Sequence, residues 1–452
     1  MTSYLGRTVL VAGAAVAGAA VTRVLLAAGA DVFLADQQEG ERTAELERLG
    51  ARFVGLPTLV PPGVSTVVAS PGWRPDHPLL VAALAAGIDV IGEVEFAWQL
   101  RDPGVPWLAV TGTNGKTTTV LMLESILRAA GLRTVAAGNV GLPLAEVIGT
   151  PYDVLAVELG SPQLHGAPSL RPLAGTVLNV APDHIDWHGS FEAYAAAKAR
   201  VYAGATAVVN LDDDWSVRLS AASLSTVGFT LSAPPEGSLG VVDGVLLDRA
   251  HGAGGGAGVA LADVADIPVP GQHNVANALA AAALARAYGV EPAAVSAGLR
   301  EFRPAPHRNA LVSTVDGVAY VDDSKATNPH AAAASLSAYR RVVWIAGGLL
   351  KGVAVDEFVA SIRDRLSAVV LLGADRQLLV EALARHAPDV PVTEVTRTDN
   401  GAMDEVVTLA AGLATAGDTV LLAPAAASWD MFDDYSHRGR AFADAVARLV
   451  DR

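Results

Sequence analysis

The 452-residue chain contains no cysteine. Disulfides, thiolate-bound zinc and a cysteine nucleophile are excluded, and the absence fits a reducing compartment. Basic residues are scarce: 32 Lys and Arg stand against 47 Asp and Glu, a formal charge of −15. Binding along nucleic acid requires clustered Lys and Arg to neutralise phosphates, so no nucleic-acid partner is expected. An anionic ligand would instead need local devices such as helix N-termini, a few cations or metal ions. Long apolar runs are missing as well. Hydrophobic residues make up 51% of the chain, but much of this is Ala and Val in short stretches. None reaches the roughly 18 strongly apolar residues that read as a membrane span, so no membrane partner is expected.

What is present is an alternation of short apolar strands and Ala-rich helices. Thr8–Ala12 reads as a strand, Gly13 to Gly18 as a turn opening a helix that ends at Gly29, and Asp31–Ala35 as a second strand ending at Asp36. The small-residue run Thr8–Val21 resembles a signal-peptide core, but the ordered strand-turn-helix-strand pattern favours a cytoplasmic α/β domain over export. The length suggests about three domains. Pro-containing linkers at Arg101–Pro106 and Phe302–Pro306 divide the chain into 1–103, 104–303 and 304–452. Further strands are predicted at Thr66–Ala69, Val90–Ile91, Trp107–Thr111, Val318–Val321, Val342–Ala346, Ala368–Leu372 and Thr419–Leu422. Their spacing by helical segments predicts an α/β protein with a mostly parallel sheet in each domain. Val241–Leu247 reads as a hairpin with an Asp-Gly turn, and Gly252–Gly258 as a surface loop without chemistry.

The sharpest chemical signal is Thr111–Thr118 (TGTNGKTT), a buried strand running into a glycine turn and a helix expected over Thr118–Ala130. Backbone N–H groups of such a turn face an anion at a helix N-terminus. Gly112 and Gly115 let the backbone approach, with Thr113 and Asn114 between them. Lys116 would neutralise β/γ-phosphate oxygens, and the Thr117 hydroxyl would hold Mg²⁺, with Thr118 opening the helix. The spacing G-x-x-G-K-T is two residues shorter than the common phosphate loop. Glu158 ends the apolar run Val154–Glu158, where α/β sheets bind ligands, and could share that ion.

Other polar clusters follow apolar runs. His184 lies between Asp183 and Asp186, a set that can hold a divalent ion, although a lone His in a polar loop is more often solvated. Ser190 can cap the following helix, on which Tyr194 and Lys198 share a face; spacing alone makes Lys198 a solvated surface residue. His273, Asn274 and Asn277 cluster at another helix start, where capping is the default reading. His307 and Arg308, then Asp323, Ser324, Lys325 and Thr327 after a strand, resemble a site more than a cap. Gly347–Gly352 and Ser428 add polar groups near later strands. The N-terminal Gly13–Gly18 (GAAVAG) lacks the middle glycine of a dinucleotide fingerprint, so an NAD-dependent oxidoreductase is disfavoured; its helix N-terminus can still accept another pyrophosphate.

In this order the motifs resemble the Mur ligase family over nearly the whole chain. The carriers are TGTNGKTT at Thr111, GNVG at Gly138, VEL at Val157, NVAPDHID at Asn179, the Lys198 helix, GQHNVANALAA at Gly271, PHR at Pro306, DDSKATN at Asp322 and ASWDMF at Ala427. DDSKATN resembles the D-glutamate-adding branch, and the DNPR stretch of the diaminopimelate- or lysine-adding branches is absent. The resemblance implies a Rossmann-like UDP-binding N-terminal domain, a P-loop-type central ATPase domain and a Rossmann-like C-terminal amino-acid domain. It also implies ATP-dependent addition of D-glutamate to UDP-N-acetylmuramoyl-L-alanine through an acyl phosphate, a cytoplasmic step of peptidoglycan precursor synthesis. ATP and two Mg²⁺ ions, with Mn²⁺ as an alternative, are the implied cofactors, and a monomer is expected.

Carried over residue by residue, Lys116 contacts the β/γ-phosphates; Thr117 and Glu158 serve one Mg²⁺, and His184 and a carbamylated Lys198 the other. Lys116, His184 and Lys198 are the implied catalytic set. Asn274, Asn277, Arg308 and Asp323 join the glycine turn as nucleotide contacts. Gly13, Val16, Ala17, Asp36, Ser70, Gly72, Asn139, Gln163 and His184 match the UDP-substrate site, and Lys325, Thr327, Lys351, Ser428 and Tyr435 the D-glutamate site. The chain departs from the usual family pattern at Gly160, Pro162, Leu349, Leu350, Gln38 and Tyr435.

Overall fold

A computed structural model describes residues 4–251, 258–399 and 401–450. Among these residues the strands form three sheets. The first comprises β1 (Thr8–Ala12), β2 (Asp31–Ala35), β3 (Arg52–Phe53), β4 (Val64–Ala69) and β5 (Asp89–Gly92) in the order β3-β2-β1-β4-β5, parallel throughout. The second comprises β6 (Trp107–Thr111), β7 (Ala136–Gly138), β8 (Leu155–Glu158), β9 (Ala174–Val177), β10 (Thr206–Asn210), β11 (Thr226–Phe229), β12 (Ser238–Val242), β13 (Val245–Asp248) and β14 (Val259–Asp263). Its order is β14-β13-β12-β11-β10-β9-β6-β8-β7. The third holds β15 (Ala310–Val315), β16 (Val318–Asp322), β17 (Val342–Ala346), β18 (Leu366–Leu371), β19 (Val392–Glu394) and β20 (Thr419–Leu422) in the order β15-β16-β20-β17-β18-β19.

The expected α/β class holds, and the sheets are mostly parallel, with antiparallel pairs confined to β12-β13-β14 and β15-β16. The physical reason lies in the connections. Parallel neighbours need a crossover helix, whereas short turns permit antiparallel ones. The turn Asp243-Gly244, both residues at positive φ, makes the predicted hairpin between β12 and β13. The glycine-rich run read as a surface loop lies, at 252–257, outside the described residues. Central strands such as WLAVT of β6 and VVWIA of β17 are buried at every position, as strands covered on both faces must be.

The chain packs as two compact units. One runs to Pro268 and resumes over Ala276–Phe302; the other comprises Val269–Val275 and the chain from Arg303 onward. The core of the first unit packs Trp107, Leu155, Val157, Val177 and Tyr202 beneath the second sheet. Each large side chain so buried contributes about 1.5–3 kcal/mol. In the second unit Val342, Trp344, Val369 and Leu421 do the same under the third sheet.

At the end of β13, one strand in from the edge of the second sheet, the fully buried Asp248 accepts a hydrogen bond from Arg286 Nε at 2.9 Å and pairs with His251 Nδ1 at 3.1 Å. Burial pushes this carboxyl up, but His251 and Arg286 outweigh it and bring it down to about 2. A depressed carboxyl contributes stability fully above its ordinary value of 3.8 and loses it as pH falls through about 2. Asp248→Asn is therefore expected to cost about 3 kcal/mol near pH 7. In chemical melts the gap from the wild type should narrow at pH 3; a gap independent of pH would contradict the charged pairing.

Candidate active site

The functional side chains gather at the carboxyl ends of parallel strands, where open α/β sheets place ligands. In the first sheet the order reverses between β1 and β4, and the turns after these strands meet. Gly13 has φ +103°, and a Cβ there would stand 2.7 Å from Ser70 Oγ, so only glycine lets the two turns touch. Asp36, after β2, accepts the Ala14 N–H at 2.6 Å through Oδ2 and the Gln37 N–H at 2.6 Å through Oδ1. It thus shapes the turn through the backbone. The helix Val16–Ala27 follows without a side-chain cap, with Val16 exposed and Ala17 half-buried beside it; Gly72 is exposed.

The second sheet carries the densest constellation. The helix after β6 spans Lys116–Ala129, beginning two residues before its expected start because Gly115, at φ +84°, serves as its N-cap. Lys116 and Thr117 therefore sit in the first turn. Lys116 Nζ folds back to donate to Gly112 O at 2.9 Å and Thr113 O at 2.8 Å. Thr117 Oγ1 donates to Glu158 Oε2 at 2.7 Å, and Asn139 Nδ2 donates to Glu158 Oε1 at the same distance. Thr117 and Glu158, expected to share an ion, are thus in direct hydrogen-bond contact, with Asn139 beside them. Both oxygens are of the kind Mg²⁺ takes. Asn114 N donates to Asn179 Oδ1 at 2.9 Å, and Asn277 packs against Gly115. Gln163 accepts the Gly160 N–H at 2.8 Å, capping its own short helix.

Lys198 corrects the surface reading. Its side chain is 1% exposed, and Nζ donates to Gly112 O at 2.8 Å, the carbonyl that Lys116 also uses. Burial, reinforced by Lys116, holds its amine well below the usual lysine range. Spacing could not reveal this, because the enclosing groups lie 86 residues away. Tyr194, one turn earlier, places its ring 4.5 Å under Lys198 Nζ and its hydroxyl 2.9 Å from Thr113 Oγ1. Its role in bracing the glycine turn was signalled only by its sharing a face with Lys198. His184 is left-handed, with φ 50°, and its side chain is 53% exposed, as a histidine in a polar loop is. Its ring centroid is 6.4 Å from that of Tyr194. Among the described residues no group of three or more His, Asp and Glu gathers closely enough to hold a metal by itself.

In the second compact unit, Asn274 Nδ2 donates to Pro270 O at 2.7 Å, tying the helix start back to the preceding turn; this is a bond to a carbonyl and not the acceptance of a backbone N–H that capping requires. Asp323 Oδ1 accepts the Asn309 N–H at 3.2 Å. Burial raises its carboxyl to about 6 against the opposing pull of Ser335 and Arg308. Lys325 Nζ stands 4.0 Å over the Tyr435 ring, and the Thr327 N–H donates to Lys325 O at 2.8 Å. Lys351, at φ 54°, stands 4.5 Å over the exposed Trp429, next to buried Ser428. Arg438, which no sequence signal singled out, is buried beneath this group. It donates to Ser324 Oγ at 2.9 Å, Ser324 O at 2.8 Å and Ala426 O at 3.1 Å, tying the loops after β16 and β20 together.

Residues 110–285 match the Mur ligase middle domain and residues 307–426 the Mur ligase glutamate ligase domain. The chain belongs to the Mur ligase family. Over 99% of its length it is 56% identical to the UDP-N-acetylmuramoylalanine–D-glutamate ligase of Streptomyces avermitilis, covering all of that protein. It is also 56% identical to the protein of the same name from Thermobifida fusca, over 98% of this chain and 99% of that one. Among solved structures, the UDP-N-acetylmuramate-alanine ligase MurC of Thermotoga maritima shares the fold at 20% identity and a TM-score of 0.61. That match covers 98% of this chain and 99% of that one.

Proposed function

We propose that the chain is an ATP-dependent ligase that joins D-glutamate to UDP-N-acetylmuramoyl-L-alanine in cytoplasmic peptidoglycan precursor synthesis. The observation that carries this reading is the glycine turn capped by Lys116, with Thr117 Oγ1 2.7 Å from Glu158. It offers backbone N–H groups, a cation and paired oxygen donors for a triphosphate, and the relatives matched over nearly their whole length carry the ligase name. In this reading 1–103 bind the uridine nucleotide through Gly13, Val16, Ala17, Asp36, Ser70 and Gly72; 104–303 bind ATP; and 304–452 bind D-glutamate through Lys325, Thr327, Lys351, Ser428 and Tyr435. Arg308 and Asp323 serve the nucleotide, and Asn139 and Gln163 the sugar-peptide.

The alanyl carboxylate oxygen attacks the γ-phosphorus, and the bond to ADP breaks, leaving an acyl phosphate. The D-glutamate amine then attacks the acyl carbon. The C–O bond to phosphate breaks, the amine sheds a proton, and an amide, ADP and phosphate result. The first step brings two anions together, so its barrier is largely electrostatic. Lys116 answers this by holding positive charge over the turn, and the backbone N–H groups orient the phosphates. Thr117 and Glu158 would hold one Mg²⁺, and His184 with a carbamate on Lys198 the other; when bound, these ions neutralise charge between phosphate and carboxylate. The carbamate forms when the Lys198 amine adds to CO₂ and releases one proton. The burial of an amine beside a second lysine supports that chemistry, because burial favours the neutral, nucleophilic form.

Phosphate release from ATP should require both UDP-N-acetylmuramoyl-L-alanine and D-glutamate. ATP turnover indifferent to the UDP-sugar overturns the reading.

A further inference from the structure

A recess of about 310 Å³ opens beside the proposed substrate turns, lined among others by Ser70, Trp73, Leu84, Gln163, His165 and Trp187. At the low end of small-molecule site volumes, it is sized for one substituted ring and not for a whole nucleotide sugar. Its walls are joined where the Gly92 N–H donates to Gly166 O at 2.9 Å. They are mostly apolar, and Leu84 is left 58% exposed. Two indoles stand on it. Trp73 packs 4.4 Å from the His77 ring and lies 3.0 Å, through Nε1, from where a Cβ on Gly13 would be. Trp187 packs edge-on against His165 at 5.3 Å and against His188 at 4.5 Å. Its Nε1 is shielded from solvent and has no hydrogen-bond partner among the described residues.

The position of the recess between two proposed contact groups identifies its occupant. At one end Ser70 touches Gly13 in the turns assigned to the diphosphate. At the other, Gln163 caps a helix from Gly160, which lies against Asn139, and Asn139 holds Glu158. A UDP-N-acetylmuramoyl-peptide spans just these chemistries, with the diphosphate at one end and the acyl carboxylate at the other. Between them lies a pyranose ring bearing acetamido and lactyl groups. Its C–H face and methyls suit indole surfaces, as amphipathic aromatics suit ligands that are apolar on one face and polar at the edge. We propose that Trp73 and Trp187 form the platform for the amino-sugar ring and set the preference for the substituted sugar over the nucleotide alone. This inference rests on the ligase reading above.

The test uses the full-length enzyme. With Trp187→Leu the KM for UDP-N-acetylmuramoyl-L-alanine should rise about ten-fold or more, while the KM for ATP and for D-glutamate and the Kd of UDP stay within about two-fold. Trp187→Phe, which keeps a ring, should recover most of the loss, and Trp73→Leu should behave like Trp187→Leu. In the wild type, saturation-transfer NMR should label the pyranose and acetamido protons of the UDP-sugar. If the wild type ligates but neither leucine variant moves that KM, the platform is wrong and the ligase reading stands. If the wild type does not ligate, the ligase reading itself fails. Should a leucine variant not fold, the NMR decides alone, and saturation confined to uracil and ribose protons overturns the platform.

Discussion

Lys116→Ala should lower the rate of ligation by about three orders of magnitude or more while leaving UDP-sugar binding within about two-fold. The split follows from what Lys116 touches. Its ammonium bonds the carbonyls of Gly112 and Thr113, which keeps the cation over the very turn whose N–H groups would face the phosphates. In the turn it is partly withdrawn from water, so its charge acts through a lower dielectric than it would on an open surface. Negative charge on the transferring phosphoryl group is greatest as the carboxylate approaches, and the loss therefore falls on kcat. The turns at Gly13 and Ser70, proposed to hold the uridine nucleotide, belong to a different sheet and keep their own contacts. Lys116→Arg is not expected to rescue, because the bulkier, planar guanidinium spreads its charge over three nitrogens and does not supply the compact point charge of an ammonium in the first helical turn. Phosphate-release kinetics paired with calorimetric binding of the UDP-sugar make the check. Activity within ten-fold of the wild type would remove the phosphate role.

How much of this site could be read in advance depends on whether its parts are neighbours in the chain. The glycine turn was legible because its whole device occupies consecutive residues, and the Asp243-Gly244 hairpin for the same reason. Glu158 was legible as a carboxylate at a strand end that could share an ion with Thr117; the direct contact between the two arises because β6 and β8 are adjacent in the sheet. Nothing in the local pattern buries Lys198. Its helix is Ala-rich on all sides, and the groups that enclose it, Gly112 and Thr113 through Tyr194, come from the far end of another crossover. Arg438 was invisible for a related reason. A basic residue early in an amphipathic helix reads as solvated, and only the approach of the Ser324 and Ala426 loops makes it a buried tie. Trp187 and His188 follow directly on NVAPDHID, yet their packing on His165 required the loop before the Lys198 helix to fold back on the helix Ser161–His165. The two-residue strand β3 and the three-residue strand β19 exist through pairing with β2 and β18 and carry too few residues for a periodic signal.

Lys198→Ala should be inactive, by about three orders of magnitude, and partly restored by millimolar acetate or formate, on the order of ten-fold above the unrescued variant. A lysine this deeply buried needs a reason, since an isolated ammonium loses most of its hydration there. The structure gives it no carboxylate at hydrogen-bond distance among the described residues; it gives it a backbone carbonyl that a second lysine already uses. As an ammonium it would repel Lys116; as a carbamate it would attract Lys116 and supply two oxygen donors beside the glycine turn. A small carboxylate diffusing into the space left by alanine reproduces those oxygens without the covalent tether, which is why rescue should be partial. Lys198→Arg separates the alternatives most sharply. It keeps a cation of similar length but cannot add CO₂, so it should be as inactive as alanine, and its activity should be unaffected by stripping CO₂ from the buffer, which should slow the wild type. An active arginine variant would mean that position 198 works as a positive charge, and the second ion-binding group proposed for this site would have to be sought elsewhere.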